Sequence, residues 1–413
     1  MEIQYSQKAI LNMNYNFDTP IDRFNSNAAK FKREYLLEIF QTEDLYPFWI
    51  ADQDLQTSPE IINALVLRSQ NGVFGYECRS VDFMSGIVEW YRRRFNCVIQ
   101  PSWIQFTPTI ITSVAMAIDL FTNDQNGVII QPPVYQEFES VILKTNRTVF
   151  RNNLVLKDYH YEIDFDHLEV LCQNENTKAL LISNPHNPGG RVWTKVELQK
   201  IVDLCIKNNI ILISDEIHAD VVFKPYTFTS LLDFKEIHHQ LIVCYSPSKI
   251  LNLAGISDSI AIIPNPNLKT EFERLKLRYN LGRSNALTNT AIQTGFQTAD
   301  EWIDQLNNYI KSNIAYIDEY LHQNIPQVHL VRQEGTYLIW LDVSALPIHG
   351  VELIQFLAKH AKIGVNNGDR FGKSGAKFIR MNIACPKSIL EEAMKNFKSA
   401  VELLFVQNSE QNC

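Results

Sequence analysis

Four places in the chain carry reactive side chains directly after a short apolar run. Lys249 closes Ser246-Pro-Ser-Lys249, which follows Val243-Cys-Tyr, and Asp215 opens Asp215-Glu-Ile-His218, which follows Ile211-Leu-Ile-Ser. Asn184-Pro-His-Asn-Pro-Gly-Gly-Arg191 follows Leu181-Ile-Ser, and Gln131-Pro-Pro-Val-Tyr135 follows Val128-Ile-Ile. A desolvated amine at the end of a buried strand raises the free energy of the fold unless something uses it, and the use that fits Lys249 is Schiff-base chemistry. A carboxylate at a neighbouring strand end would hold a positive charge, and a protonated pyridine nitrogen is a fitting partner for Asp215. Taken singly, Lys249 reads equally as a rim lysine and Asp215 as a helix N-cap. Taken together, those readings leave the pairing unexplained.

The elements that must position these groups are legible as periodic segments. Gly127-Val-Ile-Ile, Ala179-Leu-Leu-Ile-Ser, Ile210-Ile-Leu-Ile-Ser and Leu241-Ile-Val-Cys-Tyr are buried-strand runs alternating with helical patterns. That alternation predicts an α/β fold with a mainly parallel sheet between helices, whose ligands sit at the strands' carboxyl ends. Between two runs, Val196, Leu198, Ile201, Val202, Leu204 and Cys205 recur at near-helical spacing behind Thr194 and Glu197, a capping box on a crossover helix. After about residue 285 long helices alternate with strands near 337–343 and 377–383. The expected organisation is an N-terminal arm (1–50) joining a smaller α+β domain (286–413), with a large domain between (51–285).

Composition narrows the function classes. Hydrophobic residues at 46% and charged residues at 20% suit a packed globular chain. The net charge of -8, without a basic block, argues against nucleic acid as a partner. Apolar runs are strand-sized, which argues against a transmembrane span, and the polar stretch from Met1 to Asn16 lacks a secretory pattern, so a cytoplasmic protein is expected. Seven cysteines without a C-x-x-C pair read as reduced and structural, and no metal site is expected. His238-His239 reads as a solvated pair, Tyr91-Arg-Arg-Arg94 as the wet face of a helix, and Asn366-Asn-Gly-Asp-Arg370 as a turn.

The strand-end motifs, in this order, resemble fold-type I pyridoxal-phosphate (PLP) enzymes of the class I/II aminotransferase family. Trp49-Ile-Ala-Asp-Gln-Asp54, Phe74-Gly-Tyr76, Gly190-Arg-Val-Trp-Thr194, Asp215-Glu-Ile-His218 and Phe378-Ile-Arg-Met-Asn-Ile-Ala-Cys-Pro386 narrow the resemblance to the cystathionine β-lyase, or cysteine C-S lyase, branch. It runs from about Asn14 to the last helix. The resemblance implies a large PLP-binding domain of aspartate-aminotransferase type and β-elimination from a small amino-acid substrate. The alternatives are an aminotransferase and a PLP-binding regulatory protein with little turnover.

Residue by residue, the resemblance makes Lys249 the Schiff-base lysine and catalytic base, and Asp215 the partner of the pyridine nitrogen. It makes Asn187 and His218 neighbours of the cofactor's 3'-oxygen, Tyr135 the ring stacked on the pyridine, and Ser246 a phosphate ligand. Thr109, Ile110 and Ile111 open a helix whose free N–H groups suit the phosphate. Arg380 is the implied clamp on the substrate α-carboxylate, a role suited to a planar guanidinium, with Ala51 beside the substrate. Tyr76 is the tyrosine that family members lend across a homodimer interface to the partner's phosphate. The chain departs from the pattern at Thr109, where lyases usually have Gly, and around Asp54, with Gln53 for the usual Met and Leu55 for a common Phe, changes expected to reshape the substrate entrance. Ser257 stands where many aminotransferases carry an arginine.

Overall fold

The computed structural model describes residues 15–256 and 258–411, so the readings made at Ser257, at Cys413 and over residues 1–14 fall outside it. The apolar runs form a seven-stranded sheet: β1 Ile104–Thr107, β2 Gly127–Ile130, β3 Thr148–Arg151, β4 Thr177–Ser183, β5 Ile211–Asp215, β6 Leu241–Tyr245 and β7 Ser259–Ile262. Their order is β1-β7-β6-β5-β4-β2-β3. The run from β3 to β6 is parallel, and β7 is antiparallel to both its neighbours.

Alternate residues of each strand face opposite cores. Leu180, Ile182, Leu212 and Val243 belong to one cluster, and Leu181, Ile213, Ile242 and Cys244 to the other, so both faces are covered and nearly every strand position is apolar. Parallel pairing requires crossovers, which the helices α1 Ile110–Phe121, α2 Gln136–Lys144 and α3 Lys195–Lys207 help to supply. At the start of α3 the Thr194 hydroxyl accepts from the Glu197 N–H, and the Glu197 carboxylate accepts from the Thr194 N–H, as the spacing predicted. Leu198, Ile201, Val202 and Cys205 are buried, whereas Val196 lies off the stripe and is exposed.

A second, antiparallel sheet has β8 His329–Leu330, β9 Leu338–Asp342, β10 Asn366–Asn367 and β11 Phe378–Asn382, in the order β8-β9-β11-β10. The helices Asp300–Asn324 and Lys387–Gln411 accompany it. The N-terminal segment is tied to this part of the chain, since Tyr46–Pro47 pairs in parallel with Ile363–Gly364. Asp54 accepts from Arg23 at 2.5 Å and from the buried Lys30 at 2.6 Å, closing the segment on itself.

Two surface readings need correction. Tyr91 is fully buried, with its ring edge-on to Tyr245, and Arg94 pairs with Asp304 at 2.8 Å, so only part of that helical run is wet. His238 is half-buried, with Nε2 2.9 Å from the Leu232 carbonyl and its ring edge-on to Trp103, rather than solvated.

Candidate active site

Register decides where the chemistry collects. Ser183, Asp215 and Cys244 are cross-strand neighbours, so the segments that leave β4, β5 and β6 emerge along one edge. There Ala51, Thr109, Ile110, Tyr135, Asn187, Asp215, His218 and Lys249 line a chamber of about 170 Å³, which Ile111 and Ser183 help to close.

Lys249 Nζ donates to the Ala51 carbonyl at 2.5 Å. Burial pulls its pKa down to about 8, while Asp52 and Asp215 oppose the fall and Arg380 adds to it. Asp215 is pushed up to about 7 by burial, against the Ile217 N–H it accepts at 3.0 Å and the positive charge of Lys249. His218 is pulled down to about 3 by burial, helped by Lys249 and Arg380, so its ring stays neutral; its Nδ1 has no hydrogen-bond partner among the described residues.

Arg380 comes from the other sheet. Its guanidinium donates to the Asn187 side-chain oxygen at 3.2 Å, to the Trp49 carbonyl at 3.0 Å and to the Asn366 side-chain oxygen at 2.7 Å. Burial draws its pKa down to about 10, which leaves it charged at neutral pH, and its Nε has no partner among the described residues. With its oxygen taken by Arg380, the Asn187 side chain keeps its amide N–H groups for a ligand. Tyr135 precedes α2, and burial holds its hydroxyl above the usual tyrosine range.

Thr109 is the N-cap of α1: its hydroxyl accepts from the Thr112 N–H, and its φ of -146° needs no glycine. The side chain therefore caps the helix whose N-terminus faces the chamber. The Ser246 hydroxyl donates to the Asp258 carbonyl at 2.8 Å and accepts from the Ser248 N–H, so it braces the lysine loop. Tyr76 is 92% exposed under the Arg283 guanidinium and does not line the chamber of its own chain.

Gln53 does not shape an entrance. It is buried, and its side-chain amide donates to the carbonyls of Lys249 at 2.6 Å and Ile250 at 3.1 Å. Leu55 is buried in the main core. Two groups escaped the motif reading. Tyr337 is edge-on to His218 and donates to the Ala51 carbonyl at 3.2 Å, and Asn366, read only as part of a turn, is a buried strand residue bound to Arg380. The apolar run 338–341 could have directed attention to Tyr337; no spacing signal marks Asn366. Among the described residues no group of three His, Cys, Asp or Glu could hold a metal, six cysteines are free, and no helix is long and apolar enough to cross a membrane.

The family model for aminotransferase class I and II matches residues 51–397. The chain is 33% identical to cystathionine beta-lyase PatB of Bacillus subtilis over 94% of its own length and 100% of that protein. It is 30% identical to protein MalY of Escherichia coli over 94% and 99%. Among solved structures, cystalysin from Treponema denticola, which contains a pyridoxal 5'-phosphate cofactor, superposes with a TM-score of 0.91 at 32% identity, over 95% of this chain and 100% of that one.

The shifted amine yields a direct test. In the cofactor-free protein, modification of Lys249 by an amine-directed reagent, followed by peptide mass spectrometry, should reach half its plateau near pH 8. The exposed Lys157 should keep gaining reactivity well above that pH, because its pKa is raised by Glu162. A Lys249 profile that tracks Lys157 would contradict the burial argument.

Proposed function

The chain belongs to the class I and II aminotransferase family, and we propose that it is a pyridoxal-phosphate-dependent carbon–sulfur lyase. In this reading it cleaves the Cβ–S bond of cystathionine or a related cysteine S-conjugate to thiol, pyruvate and ammonia. The observation that carries the reading is the convergence of Lys249 and Asp215 on one buried chamber, with the Arg380 guanidinium bonded to Asn187 in its wall, and with none of the three in a salt bridge with another side chain among the described residues. The residues fit the cofactor: His218 Nδ1 is orphaned in the chamber wall, and the first turn of α1 offers free N–H groups.

Lys249 would hold the cofactor, Asp215 would face its ring nitrogen, Asn187 and His218 its 3'-oxygen, Tyr135 its ring, and Thr109, Ile110 and Ile111, with Ser246 nearby, its phosphate. When bound, PLP supplies a cationic ring that makes the Cα–H of an attached amino acid acidic. The Asp215 carboxylate keeps that ring's positive charge, and the charge in turn lets a carboxyl raised by burial ionise. Lys249, with a pKa near 8, is suited to take the Cα proton and return one elsewhere at neutral pH. Arg380 would grip the α-carboxylate in an orientation set by Trp49 and Asn366, with Ala51 beside the substrate. Expulsion of the thiolate at Cβ follows if that bond lies where the electron pair can reach it; the identity to PatB supports elimination over transamination.

The reading includes a cytoplasmic homodimer. Tyr76 stands almost fully exposed beside Phe74 and Val73, an apolar surface suited to a two-fold contact that lends the tyrosine to the other subunit's phosphate. The free cysteines suit a reducing compartment.

Three measurements test these statements. Cystathionine, with no keto acid added, should give equimolar pyruvate and thiol; a strict requirement for a keto acid would identify an aminotransferase. Arg380→Ala should retain bound cofactor while kcat/KM falls by about 30-fold or more, as expected for loss of a buried charge-assisted pair; near-normal kcat/KM would place the carboxylate elsewhere. Inactive Tyr76→Phe and Lys249→Ala proteins, mixed under conditions of proven subunit exchange, should regain part of the activity, and no recovery would argue against a tyrosine acting in trans.

A further inference from the structure

Outside the chamber lies a larger cavity of about 640 Å³, lined by Tyr135, Glu139, Arg151, Arg370, Phe371 and Lys373 among others. The two spaces share Tyr135, and the Phe371 ring that helps to wall the outer one lies 4.8 Å from the Arg380 guanidinium carbon. A substrate whose α-carboxylate is on Arg380 would therefore direct its sulfur substituent toward this outer cavity.

The charges there are not balanced. Arg151 is paired with Glu139 at 2.5 Å, and the Asp369 carboxylate is occupied by the Asn367 side-chain amide at 3.1 Å. The exposed side chains of Arg370 and Lys373 have no hydrogen-bond or ion-pair partner among the described residues, on a chain whose net charge is negative. Their backbone is fixed. The Val134 N–H donates to the Phe371 carbonyl at 2.9 Å, and Gly372, at φ +115°, lies where a Cβ would press on Pro132. A side chain at Gly368 would collide with the carbonyls of Gly375 and Phe378, so the turn packs backbone on backbone.

Resting on the lyase reading, we propose that Arg370, seconded by Lys373, recognises a carboxylate at the far end of the substrate's thiol portion. The preferred substrates are then cysteine S-conjugates with an anionic tail. Arg370 also acts electrostatically on both Tyr135 and Arg380, in keeping with a place beside the clamp. A guanidinium offers a carboxylate two parallel donors, and in a half-open cavity the attraction is strong enough to discriminate while still allowing the thiol to leave.

The test compares S-(2-carboxyethyl)-L-cysteine with its neutral amide, S-(2-carbamoylethyl)-L-cysteine, in the PLP-loaded enzyme. Each consumes one water and should give pyruvate, ammonia and the corresponding thiol. Wild type should prefer the carboxylate by about tenfold in kcat/KM, the scale of one charge-assisted pair, and added salt should shrink the ratio. Arg370→Met should bring the ratio close to one, and Arg370→Lys should keep part of it. A wild-type ratio near one, or a ratio unchanged by salt, overturns the proposal whether or not the variants fold. A preference that survives in folded Arg370→Met also overturns it. Pyruvate from the amide substrate shows that the lyase reading stands independently, whereas pyruvate from neither substrate in the loaded enzyme would mean that the lyase reading itself has failed.

Discussion

Three buried ionisable groups, Lys249 and Asp215 in the chamber and Arg380 against its Asn187 wall, lie close together, and among the described residues none forms an ion pair with another side chain. Removing a charge from water without a counter-ion costs several kcal/mol, so the fold must impose this arrangement against the groups' own preference. The strain on each is visible in the direction of its shift: the acid is made weaker and the two bases less basic. A ligand that brings a cationic ring and carboxylates into the chamber relieves all of these costs at once. Binding strength and reactivity thus have one physical source.

The scaffold bears the cost through packing. β4, β5 and β6 are buried on both faces and fixed in register, so the side chains just past their ends cannot move apart to reach solvent. Arg380 is held from the opposite side by β11, where it is cross-strand to both Trp340 and Asn366. Two sheets that share one continuous apolar cluster therefore meet at the chamber, and polar contacts such as Arg380 to Asn187 join them as well.

What the sequence disclosed follows from this construction. Strand-end motifs are local, so Lys249 and Asp215 could be singled out from an apolar run and the residues after it, Asn187 and His218 from the family resemblance of those motifs, and α3 from its capping box. Contacts made by main-chain oxygens leave no trace in residue type, which is why the anchoring of Lys249 by the Ala51 carbonyl and of Arg380 by the Trp49 carbonyl was not legible. Tyr337 acts through Ala51, far away in the chain, and Asn366 through Arg380 on the adjacent strand; neither a distant partner nor a strand pairing is encoded in residue spacing. Gln53 was misjudged for the same reason: its position in a motif suggested an entrance, whereas its amide is spent on the backbone of the lysine loop.

The clasp of Gln53 on the lysine loop has a consequence for synthesis. The segment around residues 49–54 is itself held by the far end of the chain, since the Asn382 side chain donates to the carbonyls of Ile50 and Asp52 and the Asp54 N–H donates to the Ala384 carbonyl. A nascent chain released only as far as β7 has the strands of the main sheet and the Ala51 carbonyl, but lacks Asn382 and Ala384, the residues that seat this segment. The last strand must therefore be made before the reactive nitrogen is fixed in place, so its anchoring is among the final contacts that synthesis permits.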